Sequence, residues 1–440
     1  MILFLAISIA PAAAETPCPA TATLSVFAEN LVPDTPTVEL NVDGQLLSSA
    51  GSCAGPGATT YEETLTCTGS GILHCDKSIP GLKPGLWVHR LTFFSGLPGS
   101  DEQRQARRLL LVAGDPLEVS NTLVWTVYPA SFVVRSKERA SPDGLSTVLA
   151  KASTYTRNNI QHRALVTFSP DTFVRSAPSP IYLRGPCEPN DTGGDEPGLS
   201  LSGDRIVVDA VDPIDGERGG VVLSVDTCHR KVLRLTGNDN VWRGLNFEGS
   251  RRESPLTQLD TIVITGSRNK IEHSFIRGPT RGDAVAVEPD PATGDLAQGN
   301  AIFDTEIGYA ADKGIKVVDG STVHVERTCL HHNQNGGVQL TTSSTSAIVG
   351  GSATVIESVV QRNIGASAQQ GLFAGVQDKP IETHLSARGN VVRFNGAGGI
   401  FVANDATVTL SDNVLADNYR AGPRLDHAAS EPGAQGRGAR

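Results

Sequence analysis

The chain has 440 residues, a formal charge of -10 at pH 7, 46 glycines, a single methionine and 5% aromatic residues. That length can bury a large core and suggests two or three domains, and the acidic balance excludes general binding to nucleic acid or an anionic membrane, because the long-range field repels polyanions. High glycine with little sustained helical patterning also excludes an all-helical protein and predicts many short strands joined by turns.

From the start, Ile2 to Ala10 is apolar and leads into Pro11-Ala12-Ala13-Ala14, a small-residue site that could be cut before Glu15. Residues 1–14 are therefore expected to be a signal peptide, and the protein to be secreted or held at the cell surface. Nothing later approaches 18 consecutive apolar residues, so no membrane span is expected. The seven cysteines fit an oxidising compartment. Cys18, Cys53, Cys67 and Cys75 are close enough in sequence for two disulfides, with three connectivities open. Cys187, Cys228 and Cys329 match no zinc spacing, and at least one thiol is expected to be free and buried.

Residues 15–135 contain alternating runs such as Thr37-Val38-Glu39-Leu40-Asn41-Val42 and Leu86-Trp87-Val88-His89-Arg90-Leu91 between Gly and Pro turns, which predicts a small antiparallel β-sandwich. The segment Gly81-Leu82-Lys83-Pro84-Gly85-Leu86-Trp87 resembles a hairpin of immunoglobulin-like or fibronectin-like modules. That resemblance implies spacing or binding and not catalysis. Residues 136–200 read as a linker and a cap, with a brief helical pattern from Asp143 to Ala152 that would cover the open end of a repeat array.

Residues 201–419 repeat at intervals of about 22 to 32 residues, the length of one solenoid turn with loop insertions. One aliphatic column is Ile276, Ile307, Leu330, Val360, Val392 and Leu415. Five residues earlier stand Ile271, Ile302, Val325, Val355, Ala387 and Leu410, and both columns should point inward. Two positions before the first column come Ser274, Thr305, Thr328, Ser358, Asn390 and Asn413, predicted to stack as a hydrogen-bonded ladder from coil to coil. Three positions after it, Asn333, Asn363, Asn395 and Asn418 predict an asparagine ladder at a left-handed turn. Glycine-led segments, such as Lys313-Gly314-Ile315-Lys316-Val317 and Gly337-Val338-Gln339-Leu340, are expected to be the second strand of each coil.

The series from Val232 to Phe247, with Asn269-Lys270-Ile271-Glu272 and Asn300-Ala301-Ile302-Phe303, resembles the right-handed parallel β-helix repeat family of the pectate-lyase-like superfamily. The resemblance covers about half the chain and implies the fold, an all-β right-handed parallel β-helix solenoid preceded by the sandwich. It also implies that a ligand polymer would lie along a lateral groove. No run matches the Asp-Pro-His-Asp of alginate epimerases, the Gly-His-Gly with paired aspartates of polygalacturonases, or the arginine motif of pectate lyases.

Two sets of side chains carry chemistry. The outward column His273, Asp304, Arg327, Glu357, Gly389 and Asp412 places opposite charges on adjacent coils, either as a salt-bridge ladder or as a carboxylate and arginine site. Around the next turn and strand lie Arg281, Asp283, Lys313, Lys316 and His331, where a lysine could serve as base if its neighbours depress its pKa. Asp283, Asp304, Lys313, Lys316 and Arg327 are the candidate catalytic residues, for a polysaccharide lyase or a glycoside hydrolase; His273, Arg277, Arg281, His331 and Glu357 are the candidate substrate contacts. His331-His332 reads as turn residues and not as a metal site. Between His229 and Arg281 the local balance is ten basic to five acidic residues, a docking surface for an acidic polymer or solvated charge on turns. Glu188, Asp191, Asp195 and Glu196 form an acidic Gly-rich loop for which calcium is the candidate ion, though the spacing is not that of an EF-hand. The expected partner is a polysaccharide or cell-surface polymer, bound by a monomer; the alternative is a non-enzymatic adhesin-type protein with the solenoid as spacer. Residues 420–440, rich in Gly, Ala, Pro and charge, are expected to be disordered.

Overall fold

The computed structural model describes strands between residues 20 and 127 and most of 130–418, leaving out 161, 184–196, 212–217, 226–229, 252–258, 343–348, 365–369, 376–380 and 404. The expected signal segment, Cys18, Cys53, Cys187, Cys228, the acidic loop and all of the tail except Arg424–Leu425 lie outside the described residues.

The first compact unit ends near residue 130. Its seven strands fall into a group of four and a group of three, joined by the single pair Thr68↔His74. Pairing is antiparallel throughout, except that Ala20–Glu29 lies parallel to Thr122–Val127. Alternation along the strands buries Leu65, Ile79 and Leu82 on one side.

The second unit is a stack of parallel strands. Sheet A contains ten strands, sheets B and C nine each, and in every sheet the neighbours come from successive coils. One coil runs Lys270–Glu272 in sheet A, Phe275–Arg277 in sheet B and Val285–Val287 in sheet C. Each coil therefore has three strands, not two, and the glycine-led segment is the third. The reason is a two-residue turn that splits the expected first strand: Gly244, His273, Asp304, Arg327, Glu357, Gly389 and Asp412 all adopt left-handed backbone there, with φ between 47° and 74°. The stack also opens earlier than residue 201, since Ala164–Phe168 and Ser179–Tyr182 already pair with the second coil.

The predicted columns lie in register. Ile276, Ile307, Leu330, Val360, Val392 and Leu415 pair in sequence across sheet B, and Ile271, Ile302, Val325, Val355, Ala387 and Leu410 across sheet A. Most are wholly buried, each contributing about 1.5–3 kcal/mol from the apolar surface removed from water. At the N-terminal end, the helix α1 (Leu145–Asn158) buries Leu145, Val148, Leu149 and Ala152 in the same core, so the cap stands where the helical pattern placed it.

Ladders pin the turns. Ser274, Thr305, Thr328, Ser358 and Asn390 form one buried file. Backbone N–H groups of Ser274, Thr328, Ser358 and Asn390 donate to the side chain of the next coil, while the hydroxyls of Ser274, Thr305, Thr328 and Ser358 donate to the carbonyl two residues back. Asn333, Asn363, Asn395 and Asn418 repeat the device, each amide oxygen accepting from the backbone of the preceding coil. The left-handed residue is the one before each asparagine: His332, Arg362, Phe394 and Asp417. A third file, Asn240, Asn269 and Asn300, escaped the sequence reading; it closes the turn from sheet C to sheet A by the same bonds. Among the described residues no helix is long and apolar enough to cross a membrane.

Candidate functional site

The sequence-predicted site residues do not converge. The structure distributes them over three places on the solenoid. His273, Asp304, Arg327 and Glu357 occupy the left-handed turn between sheets A and B. There Arg327 grips Asp304 with two parallel bonds, Nε–Oδ1 2.7 Å and Nη2–Oδ2 3.0 Å, and also touches Glu326. The hydrogen bond from Arg327 holds the Asp304 carboxyl below its usual range. This is an exposed ion pair between two coils of that column.

Arg277 and His331 lie on the outer side of sheet B, in one register column. His331 Nε2 is 3.0 Å from Glu306 Oε1, and its Nδ1 is 2.8 Å from His332 Nδ1. The bond to His331 lowers the Glu306 pKa, and burial lowers that of His332. Arg281 is exposed on the turn that leads to sheet C.

Asp283, Lys313 and Lys316 do come together, at the entrance to sheet C. Gly282, with φ 125° and a position where a Cβ would lie 2.5 Å from the Leu259 carbonyl oxygen, turns the chain so that Asp283 enters the stack. Asp260 and Asp283 stand two residues before the paired strands Ile262–Ile264 and Val285–Val287. Asp260 Oδ1 accepts from Asp283 N at 2.9 Å, and Asp283 Oδ1 accepts from Lys313 N at 2.9 Å. This is a fourth ladder, built from carboxylates where the others use amides and hydroxyls.

Its electrostatics differ accordingly. Asp283 is 1% exposed; burial first, then the charges of Asp260 and Asp312, push its carboxyl up to about 8. Burial raises Asp260 and Glu288 as well. Lys316 Nζ lies 3.7 Å from Asp283 Oδ2, and Lys313 Nζ 2.5 Å from Asp312 Oδ1. Burial pulls Lys316 down, but Asp283, Asp260, Asp312 and Glu288 together outweigh it and raise its pKa. Lys316 therefore stays an ammonium, which corrects the expectation of a depressed lysine base: the group held protonated against its habit is Asp283.

Sequence reasoning missed Asp260 and Glu288. Asp260 could have been found, since it has the same offset from its strand as Asp283. Among the described residues, no group of three or more His, Cys, Asp or Glu is arranged to hold a metal ion. Cys329 is a free, half-buried thiol whose pKa burial raises.

Residues 221–377 match the family model described as a right handed beta helix region, which identifies the solenoid as a right-handed parallel β-helix. The match does not extend to the N-terminal unit. Solved structures that align with the chain include an alginate lyase from Paenibacillus sp. str. FPU-7, with 15% identity, TM-score 0.42, and coverage of 66% of this chain and 96% of that one. Others are the pectate lyase Pel9A, at 14%, TM-score 0.36, 67% and 81%, and PfbA, a surface adhesin of Streptococcus pneumoniae, at 10%, TM-score 0.37, 66% and 91%. At these scores the alignments carry no inference about activity. No curated protein matches the chain.

Proposed function

We propose that this is an exported protein that binds an acidic polysaccharide across sheet C and cleaves it with acid assistance from Asp283. The observation that supports this reading is the substitution of carboxylates for amides in one ladder. The ladder needs only an oxygen that accepts a backbone N–H, and asparagine meets that need elsewhere without burying charge. Asp283 meets it with a carboxyl that burial disfavours in its charged form, and buried groups held off their normal pKa are candidates for acid–base work.

The roles follow from exposure. Lys316, with 29% of its side chain exposed against 2% for Asp283, is the cation that a uronate carboxylate would meet first. When Lys316 turns to that carboxylate it uncovers Asp283, whose proton passes to the leaving glycosidic oxygen as the C–O bond breaks, while water adds to the anomeric carbon and returns a proton to Asp283. Asp260, whose Oδ1 accepts the Asp283 N–H from the adjacent coil, is the second carboxyl of the pair, and its charge when ionised supports the developing positive sugar.

The test is a panel of uronate polymers, read for reducing ends and for unsaturated product at the ultraviolet edge, with and without calcium. Wild type should yield product, and Asp283→Asn, which preserves the ladder acceptor, should lose at least about 100-fold in rate while unfolding no lower than wild type at neutral pH. Lys316→Met should raise KM more than it lowers kcat. Neither product nor binding with any polymer would overturn the proposal and leave the adhesin-type spacer.

A further inference from the structure

The corner that leaves sheet B holds an arrangement unrelated to Asp283. His331 and His332 are adjacent in the chain, yet residues of other coils place their rings. His331 Nε2 lies 3.0 Å from Glu306 Oε1, and Arg218 approaches the other oxygen of that carboxylate at 3.7 Å. Paired in this way Glu306 is an anion that can only accept, so Nε2 of His331 carries the proton and Nδ1 of the neutral ring presents a lone pair. Nδ1 of His332 stands 2.8 Å from it. Two nitrogen lone pairs at that distance need a cation at their junction, either a proton or a metal ion.

The pair is also held in place. Gly308 is the neighbour of His331 across sheet B, and a Cβ there would come 2.7 Å from His331 Cε1 and 3.0 Å from Nδ1, so glycine leaves the ring its position. Tyr309 meets His331 edge-on, with 89° between planes, and stacks on His332 with 12°. His332 occupies left-handed backbone, φ 53°, where Gly or Asn is the ordinary choice. The turn does not ask for an imidazole, because Asn333 and Asn363 supply the hydrogen bonds that hold it. The cations nearby have partners of their own, Arg218 on Glu306 and Arg277 at 5.4 Å over the Tyr309 ring.

We infer that His331 and His332 chelate a divalent transition-metal ion through their two Nδ1 atoms, that Glu306 is the carboxylate behind one ligand, and that the ion is copper(II). Metal–imidazole bonds are about 2.0–2.1 Å long. Two of them at right angles put their nitrogens about 2.8–3.0 Å apart, and at the tetrahedral angle about 3.3–3.4 Å. The observed spacing is the right-angled one, which copper(II) and nickel(II) adopt, and copper(II) is the tighter of the two. The ion sits beside the line joining the nitrogens, reached by a small turn of the exposed His332 ring. Its other positions are left to water, since no third His, Cys, Asp or Glu among the described residues is arranged to complete the shell. The inference stands whether or not Asp283 is an acid.

The test is copper retention by the full chain, carrying no affinity tag, in a glycine-buffered copper(II) series, with the bound ion read by pulsed electron paramagnetic resonance. Wild type should hold one copper(II) coupled to two imidazole nitrogens, at least about tenfold more tightly than zinc(II). His332→Asn, which suits the left-handed backbone, should lose that ion. Glu306→Gln, which leaves both ligands in place, should weaken it about 10- to 100-fold. Gly308→Ala should weaken it too, by displacing the His331 ring. His324→Ala and His384→Ala, at histidines of sheet A, should bind like wild type. Unfolding midpoints exclude misfolding, and the Glu306 variant reads the site without removing a ligand. An adventitious ion only, meaning copper held with the same strength and imidazole count in wild type and in His332→Asn, overturns the inference. So does a wild type that yields its copper to glycine, or one that holds zinc(II) as tightly.

Discussion

Two ladders in this solenoid tie backbone N–H groups to side-chain oxygens of a neighbouring coil, with bonds that run in opposite directions along the axis and with opposite chemistry. In the file Asn333, Asn363, Asn395 and Asn418, each amide accepts a backbone N–H from one coil and donates to a carbonyl, so every polar atom is satisfied without charge. In the file Asp260 and Asp283 the acceptor role is the same, but the side chains cannot donate unless protonated, and burial disfavours the charged form. The first file stabilises, and the second stores a proton. A structure gains nothing from the second that it could not have from the first, which is why the difference points to chemistry.

The comparison is broken most severely by exchanging the two kinds of ladder. Asn363→Asp should destabilise by about 3 kcal/mol or more at neutral pH, because it buries a charge and removes the donor to Asn395 and Leu330. The folded-state pKa of such a carboxyl is raised, so the lost stability should return on acidification; thermal unfolding from pH 4 to 8 checks it. Ser358→Ala is milder, leaving the Thr328 N–H without its acceptor and costing about 1–2 kcal/mol in denaturant unfolding.

Asp283→Asn sharpens the comparison through sign and not size. The folded chain holds a proton on Asp283 up to about pH 8, whereas an unfolded aspartate releases it near its ordinary value, about 3.9. Between those limits the folded state binds more protons, so this group's contribution falls as pH rises. The asparagine variant should flatten that decline and unfold at a higher temperature than wild type, by a margin that grows from about pH 4 and levels off above pH 8. The smallest effect belongs to the turn ladder. Arg327→Ala should leave the unfolding midpoint unchanged, since an exposed pair contributes little; a clear loss would mean that this turn does more than decorate the surface.

Much of this architecture was legible because a solenoid repeats its solution. Six copies of an aliphatic column and of a small polar column appear in the chain as registered letters, and Ile276 to Leu415 and Ser274 to Asn413 lie in the structure as the pattern required. The three-strand coil was not legible, because a left-handed residue between Ile271 and Ser274 leaves no mark when it is His, Asp, Arg or Glu and not Gly. The site was legible only in part. Asp283, Lys313 and Lys316 meet at one end of sheet C, but Asp304 and Arg327 sit in the turn between sheets A and B, a different corner of each coil.

The most direct measurement is the protonation of Asp283 itself, read as the infrared difference between wild type and Asp283→Asn across a pH series. A protonated-carboxyl band present in wild type at pH 6 and disappearing around pH 8, absent from the variant, is the result expected. A carboxylate already ionised at pH 6 would contradict the claim that this ladder holds a proton.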